Sequence, residues 1–402
     1  MKVRDILGRL LGGVMVVALA LFLVMLFSSV SKKEEPVVQA KVTPGLTPTG
    51  TFIVPTPVPI PTYTPVPTLP PGEFVVTRTI PLPAEMGFFG WSPDGERILL
   101  GKWLGYGTIG GVGYSSFELW AANYDGSGLV RLASPALTAG WLPVWSPDGE
   151  YVGYVAPSWE GSSGEIWVVN TSDLTSRRLV QGDIGPAQWL PSGEVAFLRG
   201  GNLWAVGRDG GQERQLNNMV SLALPTDSGY RYQISPDGQK VVFYYTRIDL
   251  ETRAWKDYIW LAGLDGSNPV LINDRGVLHS LPVWAPDSSK VAWASSDHHQ
   301  SGSARIWVVN ADGWGKREIY AGFPRNVCWS PDGRVLAFSD GFREGESTIR
   351  LINVDGTDLR VLDTSLEDAY NPFWSPDGKK IAIYKTVPQP DGQYFILEIA
   401  RR

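Results

Sequence analysis

Histidines and a neighbouring acid are the first residues of this chain with a potential for chemistry. The three histidines are His279, His298 and His299, and Asp297 precedes the adjacent pair. Imidazole and carboxylate groups bind zinc, but a zinc site takes three or four protein ligands in a tetrahedral arrangement. Because adjacent histidines on an extended loop point in different directions, we expect neither a metal site nor a cofactor.

A glycine-rich segment has the letters of a nucleotide-binding motif without its context. Gly105-Tyr106-Gly107-Thr108-Ile109-Gly110 matches the G-x-G-x-x-G dinucleotide fingerprint. That fingerprint works only where a strand leads into a helix whose N-terminus meets the phosphates. No helical pattern follows it here, so we interpret the segment as a loop between strands and expect no nucleotide partner.

The chain has one cysteine, Cys328. A single cysteine excludes an intramolecular disulfide and any multi-cysteine metal site. Because Cys328 adjoins Trp329 on a predicted inner strand, a buried structural thiol is favoured over a reactive one.

Regularly spaced aspartates belong to a repeated turn rather than to catalytic pairs. The pentapeptide Trp-Ser-Pro-Asp-Gly, intact or altered, begins at Trp91, Trp145, Trp189, Ile234, Trp284, Trp329 and Trp374. Successive copies are 54, 44, 45, 50, 45 and 45 residues apart, and such a period is typical of repeat architectures. Pro presets a type I turn, Asp suits the next position and Gly adopts the left-handed conformation. Each copy therefore predicts a tight hairpin turn.

Each repeat predicts four antiparallel strands. Apolar runs flank every turn, and runs such as Ile306-Trp307-Val308-Val309 are apolar on both faces, as expected for sheets packed between neighbours. A second tight turn, as at Asn310–Gly313, follows the third strand. Four strands per repeat of about 45 residues make a propeller blade.

The number of strands predicts a closed ring. The seventh repeat has three strands and ends near Ile399, while one unpaired apolar strand, residues 74–80, precedes the first repeat. We expect this strand to complete the last blade, which removes an exposed edge. We therefore predict an all-β, seven-bladed β-propeller of four-stranded antiparallel blades. Six blades plus an irregular extra unit is the weaker alternative, because the third repeat is the least regular.

These turns and strands resemble the repeats of the TolB-like β-propeller family. The resemblance rests on Trp-Ser-Pro-Asp-Gly followed by Ile-Trp-Val-x-Asn-x-Asp-Gly and covers about residues 74–402. It implies a function similar to that of protein-docking modules of the cell envelope, of the non-catalytic half of prolyl-oligopeptidase-type peptidases, or of some polysaccharide lyases. The sequence departs from the pattern at Ser288, which replaces the turn glycine, and at Ile234, which replaces the tryptophan. The chain has no G-x-S-x-G nucleophile elbow, so a peptidase interpretation lacks its catalytic part.

The first 72 residues predict a tether. The short segment 1–9 is cationic, and residues 10–30 contain no charge. As a helix, the segment 10–30 is long enough to cross a hydrocarbon core of about 30 Å. We expect segment 1–9 in the cytoplasm, a transmembrane anchor over 10–30, and the remainder outside, either periplasmic or extracellular. We favour an uncleaved anchor over a cleaved signal peptide because the apolar run exceeds the usual length of a signal.

Residues 31–72 predict a linker. Within 36–72, proline and threonine fill 19 of 37 positions. Such a segment cannot pack a core and forms a semi-rigid spacer, either a stalk that lifts the propeller or an inert tether. The propeller is then expected over residues 73–402.

Net charge and pI limit the classes of partner that this chain is expected to bind. The net charge of −6 and a pI near 5.3 argue against a nucleic-acid partner. A protein, peptide or glycan of the cell envelope is the expected ligand.

The long loops predict where that ligand binds. In each blade, the loop between the second and third strands and the connection to the next blade lie on one face of the ring, which we call the long-loop face. The repeated tight turns lie on the opposite face, the turn face. Variable loops on a rigid scaffold are the usual place for binding. The candidate binding residues on the long-loop face and at the channel mouth are Trp103, Trp141, Trp159, Tyr230, Tyr232, Trp255, His279, Arg325, Asn326, Tyr370 and Asn371.

We expect a non-catalytic binding or scaffolding module. The alternative is a polysaccharide- or peptide-processing enzyme with its site at the channel mouth, and a third is a structural spacer without a ligand. A cluster of convergent acid, base or metal-binding groups at the mouth would favour the enzyme.

Overall fold

The computed structural model describes residues 74–109, 112–137, 143–157, 164–182, 186–217, 231–248, 255–274, 276–296, 304–341, 345–364, 366, 368–386 and 392–401. The predicted cytoplasmic segment 1–9, anchor 10–30 and linker 31–72 lie outside these ranges. No helix within them has the length and apolar character that a membrane crossing requires.

The described residues form 28 β-strands. In chain order, β1 and the first three blades are β1 (Phe74–Pro81); β2 (Met86–Trp91), β3 (Arg97–Ile109), β4 (Val112–Asn123), β5 (Val130–Leu137); β6 (Val144–Trp145), β7 (Tyr151–Pro157), β8 (Gly164–Asn170), β9 (Ser176–Gly182); β10 (Ala187–Trp189), β11 (Glu194–Arg199), β12 (Asn202–Gly207), β13 (Arg214–Gln215). Blades 4 to 7 follow as β14 (Arg231–Ile234), β15 (Lys240–Ile248), β16 (Trp255–Gly263), β17 (Val270–Asn273); β18 (Val277–Trp284), β19 (Lys290–Ser296), β20 (Ala304–Asn310), β21 (Arg317–Gly322); β22 (Pro324–Trp329), β23 (Val335–Asp340), β24 (Thr348–Asn353), β25 (Arg360–Val361); β26 (Ala369–Trp374), β27 (Lys380–Lys385), β28 (Gln393–Arg401).

Seven blades of four antiparallel strands confirm the predicted all-β propeller. The third repeat, which suggested six blades, forms a complete but short blade from β10 to β13. Blades 1 and 2 are linked into one sheet by a single residue pair between β5 and β7, Leu137 with Val155. The first strands of neighbouring blades contact each other, as β18 does β22 and β22 does β26, so these strands surround the central axis.

The strand before the first repeat closes the ring, as predicted. β1 pairs with β28 in the order β1-β28-β27-β26, from Phe74 opposite Arg401 to Pro81 opposite Phe395. Phe74 is buried, lies edge-on to Trp374 at 5.3 Å, and carries the Arg401 guanidinium 4.3 Å from its ring centre. Because β1 takes the place of a fourth strand, the chain enters the propeller at Phe74 on the turn face.

The repeated turns have the expected conformation. The turn glycine is left-handed in each intact copy, with φ of 72° at Gly95 and 70° at Gly378. In blade 1 the Ser92 hydroxyl accepts the Arg97 N–H at 2.9 Å, and the Asp94 carboxylate accepts the Glu96 N–H at 3.0 Å. These acids therefore satisfy backbone donors of the turn.

The serine that replaces a turn glycine has an additional partner. Ser288 adopts the left-handed conformation with φ of 61°, which costs a non-glycine residue about 1 kcal/mol. Its hydroxyl accepts the N–H of Asp237, in the turn of the preceding blade, at 3.0 Å. This hydrogen bond offsets part of the strain.

Each blade packs on both of its neighbours. Seven clusters of buried apolar side chains occupy the seven interfaces, for example Phe88 of blade 1 with Tyr394 of blade 7, and Val242 of blade 4 with Trp293 of blade 5. Because both faces of every sheet are buried, the strands are apolar on both faces, as the sequence indicated.

The repeated tryptophan also ties the blades together. In four of the six blades that carry it, its indole N–H donates to the backbone carbonyl of the residue before the equivalent position in the preceding blade. The bonds measure 3.0 to 3.1 Å and join Trp91 to Phe373, Trp189 to Val144, Trp284 to Gln233 and Trp329 to Val283. In these four blades the tryptophan therefore links neighbouring backbones as well as filling the interface.

Blade 4 lacks this tryptophan, and a glutamine of blade 3 supplies the link. The Gln188 side chain accepts the Ile234 N–H at 2.8 Å and donates to the Ile234 carbonyl at 3.2 Å. The Tyr232 hydroxyl lies within hydrogen-bond distance of two carbonyls of blade 3, those of Pro186 at 2.9 Å and Ala196 at 3.1 Å. At the interface around Ile234, these polar links thus add to the apolar cluster between blades 3 and 4.

Cations on the turn face add a second kind of link, between blades 1 and 2, blades 4 and 5, and blades 7 and 1. They stand two residues after the turn glycine and donate to a backbone carbonyl of the next blade: Arg97 to Gly149 at 2.9 Å, Lys240 to Ala311 at 2.7 Å and Lys380 to Gly95 at 3.1 Å. The turn face is therefore tied together by structural hydrogen bonds.

Candidate binding face

The structure describes eight of the eleven predicted binding residues. Trp141, Trp159 and Tyr230 lie outside the described residues. The other eight fall into a group on the first strands around the axis and a pair of tryptophans on two hairpins of the long-loop face.

Two asparagines near the axis are brought into contact. The Asn326 amide donates to the Asn371 side-chain oxygen. Both residues lie where β22 and β26 bulge, with φ of 52° and 51°, and asparagine tolerates this left-handed conformation better than most residues. Their residue type is therefore accounted for by the backbone as well as by the predicted binding role.

Arg325 and Tyr370 precede these asparagines on the same strands. Arg325 is exposed, and its carbonyl accepts the Ser339 hydroxyl at 3.1 Å. Tyr370 is partly buried and packs against the apolar cluster between blades 7 and 1. Arg325 is thus the more accessible of the two at the channel mouth.

His279 and Tyr232 take part in hydrogen bonds within the fold. The His279 Nε2 atom lies 2.9 Å from the Ser296 hydroxyl. Burial raises the pKa of Tyr232 well above its usual value, and its hydroxyl bonds to blade 3 as described. Tyr232 is therefore occupied by a structural role, and we do not include it in the proposed binding face.

Two tryptophans lie on the longest hairpins. Trp103 belongs to the hairpin β3–β4, where its side chain is 54% exposed and that of Leu104 is 49% exposed. Trp255 belongs to the hairpin β15–β16, opposite Ile248, which is 41% exposed. These hairpins present apolar surface on the long-loop face.

Buried carboxylates on this face hold the connections between blades, and sequence reasoning missed them. Asp257 accepts the Leu278 N–H of the next blade at 2.6 Å, and Asp340 accepts the Phe323 N–H at 2.8 Å. Asp368 accepts the Gly345 N–H at 3.0 Å and the Thr386 hydroxyl at 2.8 Å. The only sequence signal for them is an acid within two residues of a strand end.

These acids are engaged by structural donors rather than directed at the channel. Arg350 contacts Asp340 at 3.0 Å, and Tyr320 donates to it at 2.8 Å. Burial, together with this hydrogen bond, raises the pKa of Tyr320 to about 12, so the phenol stays protonated. The arrangement supports the architecture of the face and not proton transfer.

The sequence also contains candidate groups for metal binding and for thiol chemistry. Within the described ranges, no group of three histidine, cysteine or acidic side chains is placed to hold a metal ion, while Asp297, His298 and His299 fall outside those ranges. Cys328 packs against the cluster between blades 6 and 7, and burial raises the pKa of its thiol to about 12. A thiol in this state is a poor nucleophile.

Comparisons with known proteins agree with the fold. The TolB β-propeller domain matches residues 248–396. The Tol-Pal system protein TolB of Anaeromyxobacter dehalogenans is 26% identical over 70% of this chain and 61% of its own length. An uncharacterized peptidase of Bacillus subtilis, YuxL, is 32% identical over 28% of this chain and 18% of its own length. The chain thus spans about three-fifths of the first relative and less than a fifth of the second.

A solved structure adds to the comparison of folds. The β-propeller domain of the trilobed protease from Pyrococcus furiosus, described as having an open velcro topology, has a TM-score of 0.53. It is 12% identical and covers 79% of this chain and 97% of its own. This chain differs in that β1 closes its last blade. The repeats and the closed seven-bladed ring are those of a β-propeller, and over residues 248–396 the chain matches the TolB β-propeller domain.

Proposed function

We propose that this chain is a non-catalytic module of the cell envelope that binds a protein or peptide on its long-loop face. The observation that carries the proposal is the contrast on that face between engaged polar groups and exposed apolar ones. Asp257, Asp340 and Asp368 are engaged by backbone and side-chain donors of the fold. Trp103 and Leu104, by contrast, are about half exposed on a hairpin, and exposed aromatic side chains are typical anchors of protein interfaces.

The rigidity of the ring supports a binding role. Seven apolar interfaces, the indole links and the closing strand fix the positions of the loop bases. A pre-ordered scaffold loses little conformational entropy on binding, which favours affinity. TolB-like propellers bind proteins of the cell envelope, and the likeness to the TolB of Anaeromyxobacter dehalogenans supports the same role here.

The entry point of the chain supports an orientation for this module. We propose that residues 10–30 anchor the chain in a membrane with the propeller outside the cytoplasm, joined by the linker 31–72. The linker reaches the propeller at Phe74 on the turn face. The long-loop face is opposite the attachment point, where the tether leaves it accessible to a partner.

A pair of photo-crosslinking variants tests this function. A photoreactive phenylalanine derivative replaces either Trp103, on the long-loop face, or Trp314, which is 75% exposed on the turn face. Each full-length variant is expressed and irradiated in the native cells. We expect discrete protein adducts from position 103 and none of the same mass from position 314. No adduct from position 103, or the same adducts from both positions, would overturn the proposal.

A further inference from the structure

In blade 1, strands β3 and β4 continue as a ribbon beyond the end of β2, and β5 accompanies β4 only as far as Ser116. The pairing of β2 with β3 ends at Met86 and Lys102, whereas β3 and β4 stay paired as far as Ile109 and Val112. At about 3.3 Å per residue, segment 103–109 extends roughly 20 Å past the end of β2. We call residues 103–109 and their partners 112–117 the blade 1 ribbon.

The inner edge of this ribbon faces the mouth of the central channel. The strand order β2-β3-β4-β5 runs outward from the axis. The edge of β3 that pairs with β2 between Ile98 and Lys102 therefore points inward. In the part of the chain that the structure describes, no strand pairs with this edge of β3 beyond Lys102. The backbone along residues 104–109 is therefore positioned to accept another strand.

A bulge lies at the base of the ribbon, just beyond the end of β2. The register between β3 and β4 shifts between Trp103 and Gly105, leaving Leu104 as the extra residue. Bulges bend a strand and redirect its side chains, and they are frequent next to functional sites. Trp103 and Leu104 are about half exposed at this point.

The sequence of the ribbon lacks the residues that usually protect a strand edge. Residues 103–117 contain no charged residue and no proline, although natural proteins commonly place such residues on edges to prevent unwanted pairing. A two-stranded hairpin alone is also marginally stable in water. Both features indicate that the ribbon is completed by a further strand.

Three kinds of segment could pair with this edge: the linker of the same chain, the ribbon of a second copy, or a peptide of another protein. The chain's own linker joins the propeller on the opposite face at Phe74, and its 11 prolines in 37 residues lack the N–H groups that a strand donates. A second copy anchored in the same membrane presents its ribbon in the same direction, not facing the first. An extended peptide lying across the channel mouth reaches the inner edge without either obstacle.

We propose that an extended, uncharged peptide segment of a partner protein adds as a strand to the inner edge of β3, along residues 104–109. The inference deepens the proposed function and rests on it, because it names the mode by which the long-loop face holds its partner. Backbone hydrogen bonds to β3 supply affinity, and alternate apolar side chains of the peptide contact the Trp103 and Leu104 surface.

A displayed library of random dodecapeptides, panned on the full chain, provides the probe. Enriched peptides are measured by fluorescence anisotropy against the full chain and the variants Thr108→Pro and Trp314→Ala. We expect Thr108→Pro to abolish or strongly weaken binding and Trp314→Ala to leave it unchanged. The best peptide is then N-methylated at one residue at a time. Strand addition predicts losses of about five-fold or more at every second residue, because only alternate N–H groups face β3.

The N-methyl pattern does not depend on any protein variant, so it remains informative if Thr108→Pro disturbs the hairpin. Strand addition would be overturned if the losses of affinity on N-methylation did not recur at every second residue, or if the peptides bound Thr108→Pro as tightly as the unchanged chain. Crosslinks from position 103 would in that case still support the proposed function. Strand addition is also overturned if the library yields no binder that depends on the ribbon. It is overturned as well if the full chain has the mass of a dimer in solution and Thr108→Pro returns it to the mass of a monomer. Loss of the position 103 crosslinks in addition would refute both proposals.

Discussion

Replacing Gln188 with leucine tests whether polar side chains substitute for the missing tryptophan of blade 4. The Gln188 amide makes two hydrogen bonds to the backbone of Ile234, at 2.8 and 3.2 Å. Leucine has a similar size, so the substitution removes these bonds with little change in packing volume. The experiment therefore isolates the hydrogen-bond contribution at one interface between blades.

The expected magnitude follows from the burial of Ile234. A net hydrogen bond contributes about 1 kcal/mol, and a buried N–H left without a partner costs about 1 to 3 kcal/mol. Ile234 is 2% exposed, so we expect Gln188→Leu to lower the free energy of unfolding by about 2 to 4 kcal/mol. At about 2 °C per kcal/mol for a domain of this size, the Tm falls by roughly 4 to 8 °C.

Thermal unfolding of the full chain, followed by circular dichroism, provides the assay. Gln239→Leu is the matched control, because Gln239 is exposed on blade 4, the blade that carries Ile234, and surface substitutions usually change stability by less than about 0.5 kcal/mol. If Gln188→Leu unfolded at the same temperature as Gln239→Leu, the glutamine would not be the substitute for the tryptophan link.

Three further predictions concern the turns and the thiol. Burial alone would raise the pKa of Asp94, but hydrogen bonds from Ser92 and the Glu96 N–H and the charge of Arg97 outweigh it, and the net pKa lies below the usual value. The stabilisation is complete above the unfolded pKa of about 3.9 and is lost as the pH falls below it, so Tm should decline below about pH 4 in wild type but less in Asp94→Asn. Ser288→Ala should lower the free energy of unfolding by about 1 kcal/mol, because it keeps the left-handed backbone and loses the bond to Asp237. Ser288→Gly should stay near wild type in the same melting assay. Equal losses of stability in the two variants would contradict this prediction. Cys328 should react with a maleimide only after denaturation, since burial raises its pKa to about 12; rapid labelling of the native chain, followed by mass spectrometry, would refute it.

The sequence predicted the architecture because the architecture is local and repeated. Each Trp-Ser-Pro-Asp-Gly copy specifies a turn through the backbone preferences of its own residues, and the period specifies the number of blades. The closing strand was also predictable, because the last repeat lacked one strand and residues 74–80 supplied it. The left-handed conformation of Ser288 followed from its place in the turn.

The contacts between blades were not predictable from the same pattern. Gln188 and Ile234 are 46 residues apart, and nothing in the local sequence of either residue indicates the other. Tyr232 has the type and location of a binding residue, yet its hydroxyl is used by the carbonyls of blade 3. Aromatic and polar residues serve binding sites and interfaces equally well, so residue type alone could not separate the two roles.

The most direct test of the proposed binding face is the affinity of the protein captured by crosslinking at position 103. Its Kd is measured with the full chain, with Trp103→Ala and with Trp314→Ala, using isothermal titration calorimetry. A central interface tryptophan contributes about 2 kcal/mol or more, so Trp103→Ala should weaken binding about 30-fold, while Trp314→Ala should change it less than about two-fold. Unchanged affinity in Trp103→Ala, or a larger loss in Trp314→Ala, would contradict a binding role for the long-loop face.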